Sequence, residues 1–347
     1  MTSGSSSVLL DGRSQPGGPC RFLAKSQRRD RGEIRQVLDI NRGRGLTVTT
    51  VSDTSNSATG TQPNGTKLAL PQQDSSLHDR ALVLGPGGPV GTAWLLGLAA
   101  GLRKQGIDLG AADAVVGTSA GAIAAVLLTR GVDLFDHADP TATSAEKVAL
   151  VIDPAAMVAA FGAGQGLADG DDPVRVRQEI GRIAKGANTS PATERIERFA
   201  AAYGTGPWPH PGLLIPTVGA EAGVPVVWSA ADDVPAHLAV TASTAMPGLS
   251  APIPIGDRTY YDGAFRNGSN ADLVAAAKTL VLIEPMAHLF PTPAPEGPAT
   301  VLRIGPDTAS RTAIGPDLND MARWPATFAA GLDQAESEAS ALRAVWN

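Results

Sequence analysis

The sequence predicts an α/β fold with a mostly parallel central sheet, and three observations predict it. Short apolar runs ending in glycine, "ALVLG" (81–85) and "AADAVVG" (111–117), have the composition of strands buried on both faces. Each is followed by a segment of helical periodicity, "GTAWLLGLAAGLRKQG" (91–106) and "SAGAIAAVLLTRG" (119–131), which closes on basic residues and glycine. Strand, turn, helix, strand, turn, helix is how a parallel sheet begins.

The first 79 residues contrast with this. They are rich in Ser, Thr, Gly, Asn and Arg and hold ten basic and seven acidic side chains, so they carry about +3 while the remainder carries about −9. Such low hydrophobicity does not offset the entropy of ordering. Residues 1–79 are therefore expected to be a mostly disordered extension and residues 80–347 the folded domain. The whole chain of 347 residues is 43% apolar, enough for a sizeable core, and its net charge of −6 argues against nucleic acid as a partner. A single cysteine, Cys20, excludes an intrachain disulfide framework and fits a reducing compartment. No apolar stretch reaches the length of a membrane span, and the start has no charged region followed by a long apolar core. The expected location is cytoplasmic.

After the second helix, residues about 140–210 are expected to be mainly helical, in "SAEKVALVI", "PAAMVAAFGAG", "DPVRVRQEIGRIAKGA" and "SPATERIERFAAAYG", as a cap-like insertion. "LLIPTVG" (213–219) and "PVVWSA" (225–230) form an expected strand pair. "DDVPAHLAVTASTAMPG" opens a helix with aspartates and an early proline. "RTYYDGAFRNGSNADLVAAAKTLVLI" is expected to run strand, loop (262–270), helix, strand (279–283), before a strand at 300–304 and a closing amphipathic helix or helix pair. Trp94, Trp208 and Trp228 are candidates for an apolar pocket lining, though core packing explains most such residues.

Three stretches carry possible chemistry. Gly117-Thr118-Ser119-Ala120-Gly121 fits G-x-S-x-G with a strand before it and a helix after it. That turn holds the serine hydroxyl out at the sheet edge, over a helix N-terminus whose N–H groups favour negative charge. A plain turn with Ser119 as helix cap is the alternative. Gly85-Pro86-Gly87-Gly88-Pro89-Val90-Gly91 follows the first strand. It lacks the third glycine and the downstream carboxylate of a dinucleotide loop and fits an oxyanion hole better. Pro86 and Pro89 have no N–H, which leaves Gly87 and Gly88 as donors, with Ala120 N–H as a third. Asp262-Gly263-Ala264 places a carboxylate at a strand end, where it either takes the Ser119 proton or only shapes an Asp-Gly turn. Of His78, His137, His210, His237 and His288, only His288 follows Asp262 in a Ser…Asp…His order, so a triad through His288 is the rival. There is no His/Cys/Asp cluster at ligand spacing, and no metal or other cofactor is expected.

The glycine loop, G-T-S-A-G about 30 residues later and D-G-A about 140 residues further on together resemble the patatin-like phospholipase family, over about residues 80–285. The segment "ASTAMPGLSAPIPIGDRTYYDGAFRNGSNADL" resembles that family's sequence around its aspartate. The resemblance implies a three-layer α/β/α fold and hydrolysis of lipid acyl esters by a Ser-Asp dyad, with Ser119 as nucleophile and Asp262 as base. Gly85, Gly91, Gly117, Gly121 and Gly263 would support the motifs. It also implies a lipid or other acyl-ester substrate and transient contact with a membrane surface. A silent lipid-binding protein on the same fold is the alternative of another class. The chain departs from the family at Pro86, where glycine is usual, at Val90, where a basic residue is usual, and in having D-G-A for D-G-G.

Overall fold

The computed structural model describes residues 20–23, 34–40, 46–52, 78–140, 151–290 and 295–346. They fall into two units, one holding residues up to 74 with 315–319, the other holding residues 75–314 and 320–347.

In the first unit, β1 (Cys20–Leu23), β2 (Ile34–Ile40) and β3 (Leu46–Ser52) form an antiparallel sheet in that order. Ile34 pairs with Ser52 and Ile40 with Leu46. Residues 20–23, 34–40 and 46–52 of the extension expected to be mostly disordered are thus strands, and its other residues up to 77 lie outside the described residues. The reason is local: "LTVTTVS" and "IRQVLDI" are rich in β-branched residues, which favour extended backbone, and the low overall hydrophobicity of the segment masks them.

The second unit is built on β4 (Arg80–Leu84), β5 (Ala114–Gly117), β6 (Leu213–Gly219), β7 (Pro225–Trp228), β8 (Ile253–Ile255), β9 (Arg258–Asp262), β10 (Thr279–Ile283) and β11 (Thr300–Ile304). The order across the sheet is β11-β10-β4-β5-β6-β9-β8, with β7 also on β6. From β11 to β6 all neighbours are parallel; β7, β8 and β9 join antiparallel. The mostly parallel α/β sheet predicted from the first two strands is therefore present. Apolar side chains fill one face, where Ala81, Val83, Ala114, Val116, Leu280 and Leu282 pack on Ala271, Val274 and Ala277. Residues of opposite parity point to the other face, and there Leu84 meets α2 (Ala120–Thr129) at Gly121.

Helix α1 (Gly88–Lys104) lies along the last helix, α9 (Trp324–Trp346), which follows the short α8 (Thr308–Ile314). Small residues make the approach close: a Cβ on Gly97 would stand 2.0 Å from the Phe328 carbonyl oxygen, and one on Gly331 would stand 2.4 Å from that of Trp94. Gly97→Ala therefore sets helix propensity, a gain of about 1 kcal/mol, against overpacking, a loss of about 1–3 kcal/mol. Because the clash is with backbone, the loss prevails, and thermal denaturation should show a lower Tm. A higher Tm would mean that the helices do not pack this closely. Trp94 is fully buried and donates from Nε1 to Gln334 Oε1 at 3.0 Å, which makes it a core residue.

Between α2 and β6 come α3 (Pro154–Asp169), α4 (Pro173–Gly186) and α5 (Ala192–Tyr203). Each of the first two begins on an aspartate cap followed by proline, Asp153 and Asp172. The expected helix in "SAEKVALVI" falls mostly in 141–150, outside the described residues. Helix α6 (Ala236–Ser243) follows β7, and α7 (Ala264–Asn267) is a single turn after β9. The longer helix expected after residue 270 is instead a short 3₁₀ segment, Ala271–Val274. Its N-terminus is set by Asn270 in the left-handed conformation (φ 61°), which breaks it from α7.

Candidate active site

Strands β4 and β5 are paired with Leu84 opposite Gly117, so the segments that follow them leave the sheet side by side. After β5 the chain turns within two residues. Thr118 N–H donates to the Leu84 carbonyl at 3.0 Å, and Ser119 takes φ 53°, ψ −116°, a region that non-glycine residues rarely occupy. Helix α2 starts at the next residue. The flanking glycines are required by contact. A Cβ on Gly121 would stand 1.9 Å from Leu84 O, and one on Gly117 would stand 2.7 Å from Ala122 Cα. The turn expected around Ser119 is thus more than a helix cap: the side chain makes no capping hydrogen bond to α2.

The Ser119 hydroxyl instead donates to Asp262 Oδ2 at 2.8 Å. Asp262 ends β9, opposite Thr217 of β6, and its own N–H donates to Ala245 O at 3.1 Å. Its other carboxylate oxygen, Oδ1, accepts from Ala264 N–H at 2.9 Å. Gly263 lets this turn lie on β6, since a Cβ there would stand 2.1 Å from Pro216 O. Asp262 is only 2% exposed. Burial pushes its pKa from 3.8 up to about 6, against the opposing pull of Ala264 N–H, Ser119 and the charge of Arg195.

The glycine loop occupies the neighbouring strand end. Gly85 N–H donates to Ile283 O at 2.9 Å, and Gly91 N–H to Gly87 O at 3.0 Å. Gly88 has φ 63° and opens α1. Cβ atoms at Gly85 and Gly87 would each stand 2.6 Å from a neighbour, Ser269 Oγ and Pro285 Cβ. Gly88 and Ala120 are first residues of their helices, so their N–H groups have no intrahelical acceptor and stand at the positive ends of two helix dipoles.

Three residues that no motif marks hold these parts together. Asn270, fully buried, donates from Nδ2 to Thr118 Oγ1 at 3.0 Å and to Gly263 O at 3.1 Å, tying the serine turn to the aspartate turn. Ser243 Oγ accepts the Ser119 N–H at 3.2 Å. Arg195 of α5 donates from Nη2 to Thr244 O and Oγ1, both at 2.9 Å. The helices of 154–203 also grip the aspartate strand: Tyr261 hydroxyl donates to Arg177 O at 2.8 Å, and Arg177 donates to the Phe265 and Arg266 carbonyls.

His288 is exposed in the segment after β10 and takes no part in the hydrogen bonds of Ser119 and Asp262. His210 accepts from Gly212 N–H, and His237 lies on α6. Trp228 donates to Thr217 Oγ1 at 2.9 Å in the core, and Trp208 to Val234 O at 2.8 Å. Chemically, the arrangement offers a hydroxyl next to a carboxylate able to take its proton, with two helix N-termini at the same sheet edge.

The patatin-like phospholipase family model matches residues 82–275. No curated protein matches the chain. Among solved structures, VipD from Legionella pneumophila is similar at 12% identity over 91% of this chain and 71% of its own, with a TM-score of 0.39. The type III effector protein ExoU is similar at 18% identity over 88% of this chain and 58% of its own, with a TM-score of 0.26. The ExoU-SpcU complex from Pseudomonas aeruginosa is similar at 15% identity over 96% of this chain and 61% of its own, with a TM-score of 0.23.

Proposed function

This chain belongs to the patatin-like phospholipase family, and from that premise we propose that it hydrolyses acyl esters of lipids with Ser119 as nucleophile and Asp262 as base. The hydrogen bond of 2.8 Å between Ser119 Oγ and Asp262 Oδ2 supports this reading most. The two Asp262 oxygens accept from Ser119 and from Ala264 N–H, and His288 makes no such bond, which supports a dyad over the triad.

The geometry supports the following steps. Asp262 takes the hydroxyl proton as Ser119 Oγ bonds to the ester carbonyl carbon. The carbonyl oxygen becomes an oxyanion, for which Gly87, Gly88 and Ala120 N–H groups are the proposed donors. Collapse breaks the bond to the alcohol, which leaves with the proton from Asp262. Water then attacks the acyl-serine, giving its proton to Asp262, and the second collapse returns it to Ser119 as the fatty acid departs. A base of this kind contributes roughly 10²–10⁴ in rate.

Hydrolysis of p-nitrophenyl esters of increasing acyl length tests the proposal. Wild type should be active, Ser119→Ala inactive and His288→Ala unchanged, whereas loss in His288→Ala would restore the triad. A wild type inactive on every ester that still binds lipid would favour the silent reading. The base works only as a carboxylate, so kcat/KM should fall as pH drops through about 6. A limb near pH 4 would contradict the raised Asp262.

Among the described residues no helix is long and apolar enough to cross a membrane. Contact with a lipid surface, if the substrate resides there, is therefore proposed as peripheral.

A further inference from the structure

We propose that Arg195, carried by α5 of the helical insertion, is a positioning residue for the Ser119–Asp262 pair: it clamps the segment that holds both residues and bears a positive charge that acts on the carboxylate. The inference rests on the dyad proposed above.

The clamp is a matter of connectivity. Ser243, Thr244 and Ala245 are consecutive at the C-terminal end of α6. Ser243 accepts the Ser119 N–H, Ala245 O accepts the Asp262 N–H, and Thr244 between them is held through both of its oxygens by Arg195 Nη2. One guanidinium thus fixes the piece of chain against which nucleophile and base are both registered. A helix C-terminus, with its unpaired carbonyls, is also where a cation is favoured.

Among the described residues the charge has no ion-pair partner within 4 Å. There Arg195 bonds the neutral oxygens of Thr244, its guanidinium stacks 4.8 Å from the Phe199 ring centre, and its Nε is enclosed with no acceptor. The ionisable groups facing it are Arg198 and Tyr203 on its own helix and Asp262 across from it. Facing Asp262 are Arg195 and, from its own strand, Tyr261, whose phenol burial keeps neutral. Arg198 is a like charge, so Asp262 is the anion that Arg195 serves.

The test is the pH dependence of kcat/KM on p-nitrophenyl butyrate for wild type, Arg195→Gln and Arg195→Lys, with Ser119→Ala and Asp262→Asn alongside. Glutamine can still donate to Thr244 but has no charge; lysine keeps the charge. Without the cation the carboxylate protonates more readily, so the acidic limb of Arg195→Gln should move to higher pH by about one unit. Its activity near pH 6 should fall about fivefold. Arg195→Lys should keep the wild-type limb. If thermal denaturation shows that Arg195→Gln does not fold, Arg195→Met, which fills similar volume, takes its place with the same expectation. An unmoved limb in a folded neutral variant, with activity lowered equally at all pH values, would reduce Arg195 to a structural cap and overturn the inference. Activity surviving in Ser119→Ala or Asp262→Asn would overturn the dyad itself, and the role of Arg195 with it.

Discussion

Asp262→Asn should lose most of its ester hydrolysis and become more stable at the same time. An amide cannot take the Ser119 proton, so turnover should drop by about 10²–10⁴. The stability change follows from linkage. The folded state raises the Asp262 pKa from 3.8 to about 6, so it binds a proton more tightly than the unfolded chain does. The stability this confers is present below the unfolded value and is lost as pH rises through about 6. At pH 7 the buried carboxylate therefore costs about 3 kcal/mol relative to a neutral group. Asparagine is nearly isosteric and can still accept Ala264 N–H, so Asp262→Asn should raise Tm at pH 7 and much less at pH 4. Thermal denaturation at the two pH values, with ester hydrolysis at pH 7, checks both halves. A destabilised variant at pH 7 would show that Asp262 is there to hold the turn.

Gly121→Ala should damage both fold and activity. The new methyl would stand 1.9 Å from Leu84 O and 2.4 Å from Leu84 C, atoms of a central strand that cannot yield. Helix α2 must move away from β4, at a cost of about 1–3 kcal/mol. Ser119 moves with it, and a displacement of about 1 Å can cost about 10²-fold in rate. Gly162→Ala is the control: it lies in α3 with nothing within 4 Å of the added Cβ and should be neutral or slightly stabilising. If Gly121→Ala behaves like Gly162→Ala in Tm and kcat/KM, the close strand–helix crossing is not what presents the serine.

What the sequence made legible is what local chain geometry determines. A strand that must turn into a helix at once needs glycines around the turn, and those glycines are visible at 117 and 121. Buried parallel strands show as apolar runs, so β4, β5, β6 and β10 could be read directly. The meeting of distant segments left no such mark. Asn270, Ser243 and Arg195 act through partners 124 to 152 residues away, or in the case of Arg195 49 residues away, and each is an ordinary polar residue in its local context. Strand β8 is three residues long with Pro254 at its centre, on the edge of the sheet, where proline does least harm. Its signal was the two-residue Gly256–Asp257 link to β9, with Gly256 at φ 63°.

The central claim is that Ser119 is a nucleophile activated by Asp262 without histidine. Its most direct test is the intact mass of the protein after exposure to a fluorophosphonate, with the modified peptide sequenced. The account predicts one adduct on Ser119, formed equally fast in wild type and His288→Ala, much slower in Asp262→Asn and absent in Ser119→Ala. An adduct on another residue, or labelling that depends on His288 and not on Asp262, would contradict it.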